Sequence, residues 1–173
     1  MKREMRNILL VDGYNIIGDW SDLRELQKHD LEGARDILIE KMAEYQAYSG
    51  TKVIIVFDAH MVPGLGKTYK DFAVEILYTK EKETADERIE KLVIELKRVD
   101  TKIYVATSDF VEQRVIFASG AYRKSARELR TEVDQLEKHI AKDVTRTRKA
   151  KLRGSIPVSE EIRQRLERMR RGK

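Results

Sequence analysis

Three short apolar runs rich in β-branched residues stand out along the chain, and each predicts a strand. They are "NILLVD" (7–12), "KVIIVFDAH" (52–60) and "KIYVATSD" (102–109). Each run is apolar nearly throughout, which is typical of strands covered on both faces of a parallel sheet. A fourth strand is predicted within "FAVEILYTK" (72–80).

Helical periodicity fills the intervals between these strands. Apolar residues recur at helical spacing in "DLEGARDILIEKMAEYQAYSG" (30–50). The segment "TADERIEKLVIELKR" (84–98) opens with a capping box, Thr84 and Glu87, and carries one apolar stripe. "FVEQRVIFASG" (110–120) predicts another helix. This alternation predicts a doubly wound α/β fold with a mainly parallel sheet of four to five strands.

A long helix is predicted to begin at Ser125, and it differs in character from the others. Its apolar positions alternate in steps of four and three, a narrow seam that packs on the body or on a partner: Leu129, Val133, Leu136, Ile140 and Val144. Pro157 is expected to end this helix, with a last short helix starting near Ser159.

Charge separates along the chain, so its distribution matters more than the net value of +5. Residues 141–173 hold 12 Lys or Arg against 4 Asp or Glu, which leaves 23 against 26 for residues 1–140. We therefore expect a near-neutral domain over residues 1–145 followed by a basic, helical C-terminal extension over residues 146–173.

Composition excludes several classes of protein. The chain has no cysteine, which excludes disulfides, thiolate zinc sites and cysteine nucleophiles. No apolar run approaches the roughly 20 residues of a membrane span, and "MKREMRN" leads into a strand rather than a signal-peptide core. A cytoplasmic protein without a membrane partner is expected.

Aspartates mark the ends of the predicted strands. Asp12 ends the first strand, Asp58 the second and Asp109 the third, and Asp86 lies in the first turn of the helix before the third strand. The carboxyl ends of parallel strands share one edge, where ligands bind. Carboxylates gathered there repel one another, and Mg²⁺ or Mn²⁺, which prefer oxygen ligands, would offset that repulsion.

Simpler roles compete with this interpretation. Any single Asp at a strand end or in the first turn of a helix is often only a cap or a partner of the helix dipole. In "TSDFVEQ", Asp109 or Ser108 is a candidate cap for the following helix. Neither "GxGxxG" nor "GxxxxGK" follows the first strand, which weighs against dinucleotide and P-loop sites.

Five fragments together resemble the NYN-domain proteins of the YacP type, a group allied to PIN-like metal-dependent ribonucleases. They are "VDGYN" (11–15), "VFDAH" (56–60), "KEKETADERIEKL" (80–92), "VATSD" (105–109) and "GAYRKSAREL" (120–129). The match covers most of residues 7–130. It implies a PIN-like three-layer α/β/α fold and endonucleolytic cleavage of RNA, rather than DNA, with Mg²⁺ or Mn²⁺. For this group it further implies messenger RNA on the translating ribosome.

The resemblance also assigns site residues in this chain. Asp12, Asp86 and Asp109 match the metal-binding, catalytic aspartates, and Asn15 and Asp58 match supporting positions. Two other functions stay open from the residues alone: a non-catalytic RNA- or ribosome-binding module of the same fold, and a metal-dependent phosphohydrolase acting on small molecules.

Basic residues near the third strand and in the tail suit contacts to an RNA backbone. In "YRKSARELR" the candidates for RNA binding are Arg123, Lys124 and Arg127. A solvated helix face is the alternative explanation for the basic tail.

Overall fold

A computed structural model describes residues 4–59, 73–109, 114, 116 and 118–172, and for residues 153–163 the backbone alone. Five parallel strands form one sheet in the order β3-β2-β1-β4-β5. The strands are β1 (Arg6–Asp12), β2 (Lys52–Phe57), β3 (Glu75–Tyr78), β4 (Thr101–Ala106) and β5 (Tyr122–Lys124). The predicted parallel sheet is therefore confirmed.

Five helices connect and flank these strands in the described part of the chain. They are α1 (Gly13–Asp19), α2 (Ser21–Gln27), α3 (Leu31–Ser49), α4 (Ala85–Leu96) and α5 (Ala126–Arg170). Most of the helix predicted over 110–120 lies outside the described residues, although Arg114, Ile116 and Ala118 are helical.

Alternate residues of the strands face two separate hydrophobic clusters, one on each side of the sheet. Leu9 and Val11 of β1 join a cluster with α1, α2, α3 and the first turns of α5. Ile8 and Leu10 join a cluster with α4. Since both sheet faces are covered by helices, the fold is a three-layer α/β/α sandwich, as the resemblance implies.

Side chains cap the two helices that the sequence predicts to begin at Thr84 and Ser125. The Thr84 hydroxyl accepts a hydrogen bond from the Glu87 backbone N–H at 3.2 Å, and the Ser125 hydroxyl accepts one from Glu128 at 3.1 Å. These side chains satisfy backbone donors that have no partner within the helix, so each helix begins where the sequence places it.

Trp20 joins the corner between α1 and α2 to the start of α5. Its indole Nε1 donates to the Ala126 carbonyl at 2.9 Å. The Arg130 guanidinium lies 4.9 Å from the centre of the indole ring and donates to both carboxylate oxygens of Asp22, at 2.9 and 3.1 Å. Cation–π contact and a bidentate ion pair thus act on the same arginine.

The prediction that Pro157 ends the long helix is wrong. Helix α5 is continuous from Ala126 to Arg170 and includes position 157. A proline inside a helix costs about 3 kcal/mol, and the flanking sequence is rich in Arg, Lys, Glu and Leu, which favour the helix. The helix propensity of the many flanking residues therefore outweighs the cost of one proline.

The seam predicted along α5 is buried only at its start. Leu129 and Val133 are buried in the core, whereas Val144 is 47 % exposed. The chain forms two compact units, residues 1–133 and 134–173. The domain boundary placed at residue 145 from the sequence stays a prediction. Within the described part of the chain, no helix combines the length and the apolar character that crossing a membrane requires.

Candidate active site at the carboxyl edge of the sheet

Asp12 is the last residue of β1, the central strand, and α1 starts at the next residue. Its side chain is buried, with 7 % of the residue exposed. Cα pairing sets Asp12 beside Val56 of β2, two residues before Asp58. On the other side Val11 pairs with Ala106 of β4, three residues before Asp109. The sheet register therefore brings three aspartates to one edge.

Three of the four predicted aspartates act electrostatically on the fourth, Asp12. Burial, together with the negative charges of Asp86, Asp109 and Asp58, raises the pKa of Asp12 from 3.8 to about 7. The nearby backbone N–H of Asn15 lowers the pKa of Asp12 and partly offsets this rise, although the Asp12 side chain forms no capping hydrogen bond to α1. A carboxyl that titrates near neutral pH among three others is a common property of catalytic sites.

A glycine lets α1 begin directly behind the Asp12 carboxyl group. Gly13 is buried against the aromatic ring of Phe57, and a Cβ at this position would overlap that ring. Phe57 itself is fully buried at the end of β2. Only glycine lets the backbone come this close to the ring, so Gly13 fixes the approach of α1 to the sheet edge.

Asn15 ties the end of β1 to the loop after β4. Its side-chain oxygen accepts hydrogen bonds from the Ser108 backbone N–H at 2.6 Å and from the Ser108 hydroxyl at 2.8 Å. The next backbone N–H, that of Asp109, donates to the Thr107 hydroxyl at 3.1 Å. Asn15 therefore acts on the loop that carries Asp109, a link that the sequence analysis did not identify.

Asp86 reaches the site from the first turn of α4, the position predicted for it. The turn before this helix is anchored by Glu83, whose carboxylate accepts from the Lys91 ammonium at 2.7 Å. That hydrogen bond lowers the pKa of Glu83. Together with the Thr84 cap, it fixes the start of the helix that presents Asp86.

The carboxylates are gathered but not preassembled around an ion. Among residues 4–59, 73–109 and the described positions beyond them, no three acidic or histidine side chains are close enough to hold a metal as they stand. The ligands are of the type that Mg²⁺ and Mn²⁺ prefer. Binding such an ion would therefore require the side chains to move toward one another.

The three predicted RNA contacts differ in their surroundings. Arg123 and Arg127 are exposed. Lys124 is largely covered, with 15 % of its side chain exposed, and its ammonium donates to Glu132 at 2.8 Å and to the Tyr45 hydroxyl at 3.2 Å. Burial lowers the pKa of Lys124, but these two partners outweigh burial and raise it. The positive charge of Lys124 is therefore already paired with Glu132 within the fold.

Comparison with known proteins agrees with this architecture. Residues 9–171 match the model of the YacP-like NYN domain. The chain is 54 % identical over 166 residues to the uncharacterized protein YacP of Bacillus subtilis strain 168, covering 96 % of this chain and 98 % of that protein.

Solved structures lead to the same family. The crystal structure of Rae1 (YacP) from Bacillus subtilis superposes with a TM-score of 0.77 at 54 % identity, over 95 % of each chain. A crystal structure of a mutant of that protein gives a TM-score of 0.73 over 81 % of this chain and 82 % of that one. The chain belongs to the YacP-like NYN domain family.

Proposed function

We propose that this protein is a metal-dependent endoribonuclease that cleaves messenger RNA on the translating ribosome. The observation that carries the proposal is the burial of Asp12 beside the negative charges of Asp86, Asp109 and Asp58, which together raise its pKa to about 7. A fold gains no stability from gathering like charges at a half-covered edge, so we infer that a ligand of opposite charge offsets them.

Asp12, Asp86 and Asp109 are the residues proposed to hold Mg²⁺ or Mn²⁺, because they supply carboxylate oxygens from three separate elements. When bound, such an ion supplies a nucleophilic hydroxide near neutral pH and neutralises charge on the phosphate. Asp58 contributes further negative charge to the same edge. Asn15 positions the loop of Asp109 through Ser108, which leaves its amide nitrogen to donate toward a substrate oxygen.

Positive charge along α5 supports a nucleic-acid partner. Residues 141–152 are exposed throughout, and residues 141–173 hold 12 Lys or Arg against 4 Asp or Glu. Cationic surfaces attract RNA phosphates through counterion release without reading sequence. The ribosome presents many such RNA phosphates to a protein that acts on messenger RNA, which is why we propose that cleavage takes place there.

The test is to incubate the protein with naked messenger RNA and with ribosomes halted during translation, in Mg²⁺, Mn²⁺ or EDTA, and to map new 5′ ends. Cleavage should need the ion and should fall by more than about 100-fold in Asp12→Asn and Asp86→Asn, since even outer partners of a metal site contribute about 10- to 100-fold. Asp22→Asn, a carboxylate paired with Arg130, is the matched control and should cleave normally.

Two results would overturn the proposal. Cleavage that persists in EDTA would exclude a requirement for a metal ion. Binding of RNA or ribosomes without new 5′ ends in either ion would leave a non-catalytic RNA- or ribosome-binding module, the alternative function for this fold.

A further inference from the structure

An exposed tyrosine lies on the last strand of the sheet. Tyr122, in β5, is 51 % exposed, and its neighbour in the pairing register is Tyr104 of β4. The two ring centres are 5.4 Å apart and the ring planes meet at 32°. Tyr104 is partly buried and packs against the core cluster. One face of the Tyr122 ring is therefore supported by a ring that the core holds in place.

Positive charges surround this pair of rings. The Lys102 ammonium lies 6.0 Å from the centre of the Tyr122 ring, and Lys102 is exposed. Lys124 contacts the inner ring, at 5.2 Å from the centre of Tyr104. An exposed aromatic ring with an exposed ammonium group beside it is the combination that binds bases and phosphates of single-stranded nucleic acid.

The tyrosine lies within reach of the carboxylate edge. Tyr104 precedes Ser108, the partner of Asn15, by four residues. At about 3.3 Å per strand residue, this separation is roughly 13 Å, a distance that a few nucleotides span. A strand of RNA whose phosphate lies at the carboxylates can therefore extend along β4 and β5 to Tyr122.

We propose that Tyr122 is a base-stacking residue for single-stranded RNA, with Lys102 contacting a phosphate beside the stacked base. The inference rests on the proposed function and adds to it the form of the substrate and a residue that holds it. Bases in a duplex already stack on each other and expose only their edges, so a ring that accepts a base face selects unpaired RNA.

The test measures binding of a fluorescently labelled oligouridine by anisotropy in EDTA, so that it does not depend on cleavage. Tyr122→Leu keeps an apolar contact with Tyr104 but removes the aromatic surface, and it should weaken binding by roughly 5- to 100-fold. Tyr122→Phe should bind as the wild type does. Tyr48→Ala is the control, because Tyr48 is a tyrosine of similar exposure, 56 %, on α3 rather than on the last strand of the sheet, and it should have no effect.

Salt dependence separates stacking from charge. Lys102→Gln should reduce the slope of log affinity against log salt by about 0.7, the value for one phosphate contact on a single strand, whereas Tyr122→Leu should leave the slope unchanged. Thermal melting of each variant shows that it is folded.

Four results would overturn the inference. They are an affinity of folded Tyr122→Leu equal to that of the wild type, an equal loss in Tyr48→Ala, stronger binding of the corresponding duplex, or no measurable binding of single-stranded RNA by the wild type. A wild type that binds oligouridine through Tyr122 but cleaves no messenger RNA would contradict the proposed function and leave the stacking site standing.

Discussion

Replacing Asp12 by Asn should stabilise the metal-free protein, and the gain should grow with pH. In the folded protein this carboxyl keeps its proton up to about pH 7, whereas its ordinary pKa is 3.8. Between those values the folded state binds more protons than the unfolded state, so the free energy of unfolding falls as pH rises. Below about pH 4 the group is protonated in both states and the loss disappears.

The magnitude follows from the distance between the two pKa values. Each pH unit corresponds to about 1.4 kcal/mol, so the change from 3.8 to about 7 corresponds to roughly 4 kcal/mol. A domain of this kind has a total stability of about 5–15 kcal/mol, so the effect is large. Because Asn cannot ionise, Asp12→Asn should gain on the order of 4 kcal/mol over the wild type between pH 4 and pH 8.

The assay is urea unfolding of both proteins in EDTA at a series of pH values, compared as a difference so that other titrating groups cancel. Asp22→Asn provides a control of opposite sign. Burial raises the pKa of Asp22, but the Arg130 partner outweighs burial and lowers it. The Asp22 carboxylate therefore stabilises the fold at pH values above its ordinary pKa, and Asp22→Asn should lower the free energy of unfolding more at high pH than at low pH. The reasoning is refuted if Asp12→Asn is less stable than the wild type at pH 8, or if the difference does not change with pH.

Three further changes have defined outcomes. Asp86→Asn should leave the melting temperature in EDTA unchanged or raise it, since relieving one charge pair adds about 1 kcal/mol to the free energy of unfolding. The variant should also lose most of the stabilisation by Mn²⁺. A lower melting temperature with normal stabilisation by metal would show that Asp86 is a helix cap. Gly13→Ala should cost about 1–3 kcal/mol in urea unfolding, because the new methyl group meets Phe57; an unchanged midpoint would contradict that packing. Deleting residues 155–173 should weaken RNA binding and flatten its salt dependence; an unchanged slope would mean that the tail is only a solvated surface.

The sequence predicted the central architecture because that part of the fold is encoded by local patterns. Strands β1, β2 and β4 are apolar runs, and α3 and α4 have clear helical spacing, with a recognisable capping box at the start of α4. The convergence of the aspartates was also predictable, since carboxyl ends of parallel strands meet at one edge.

The elements that were missed have no local signal. Helices α1 and α2 have seven residues each, too few to be stable alone, and they form because Ile16, Ile17 and Leu23 bury themselves against the core. Strand β5 is the polar tripeptide "YRK" and exists only through pairing with β4. The contact between Asn15 and Ser108 joins residues 93 positions apart, a distance that no local pattern reveals.

The indole of Trp20 also constrains the order in which the chain can fold as it is synthesised. Its acceptor, the Ala126 carbonyl, is 106 residues later in the sequence. At roughly 5–20 residues per second, the corner between α1 and α2 waits about 5–20 s for its partner to be made. During that interval the indole N–H lacks its acceptor, and the cluster around Trp20 lacks the side chains that α5 contributes. The nascent chain is therefore expected to depend on chaperones until the first turn of α5 has left the ribosome.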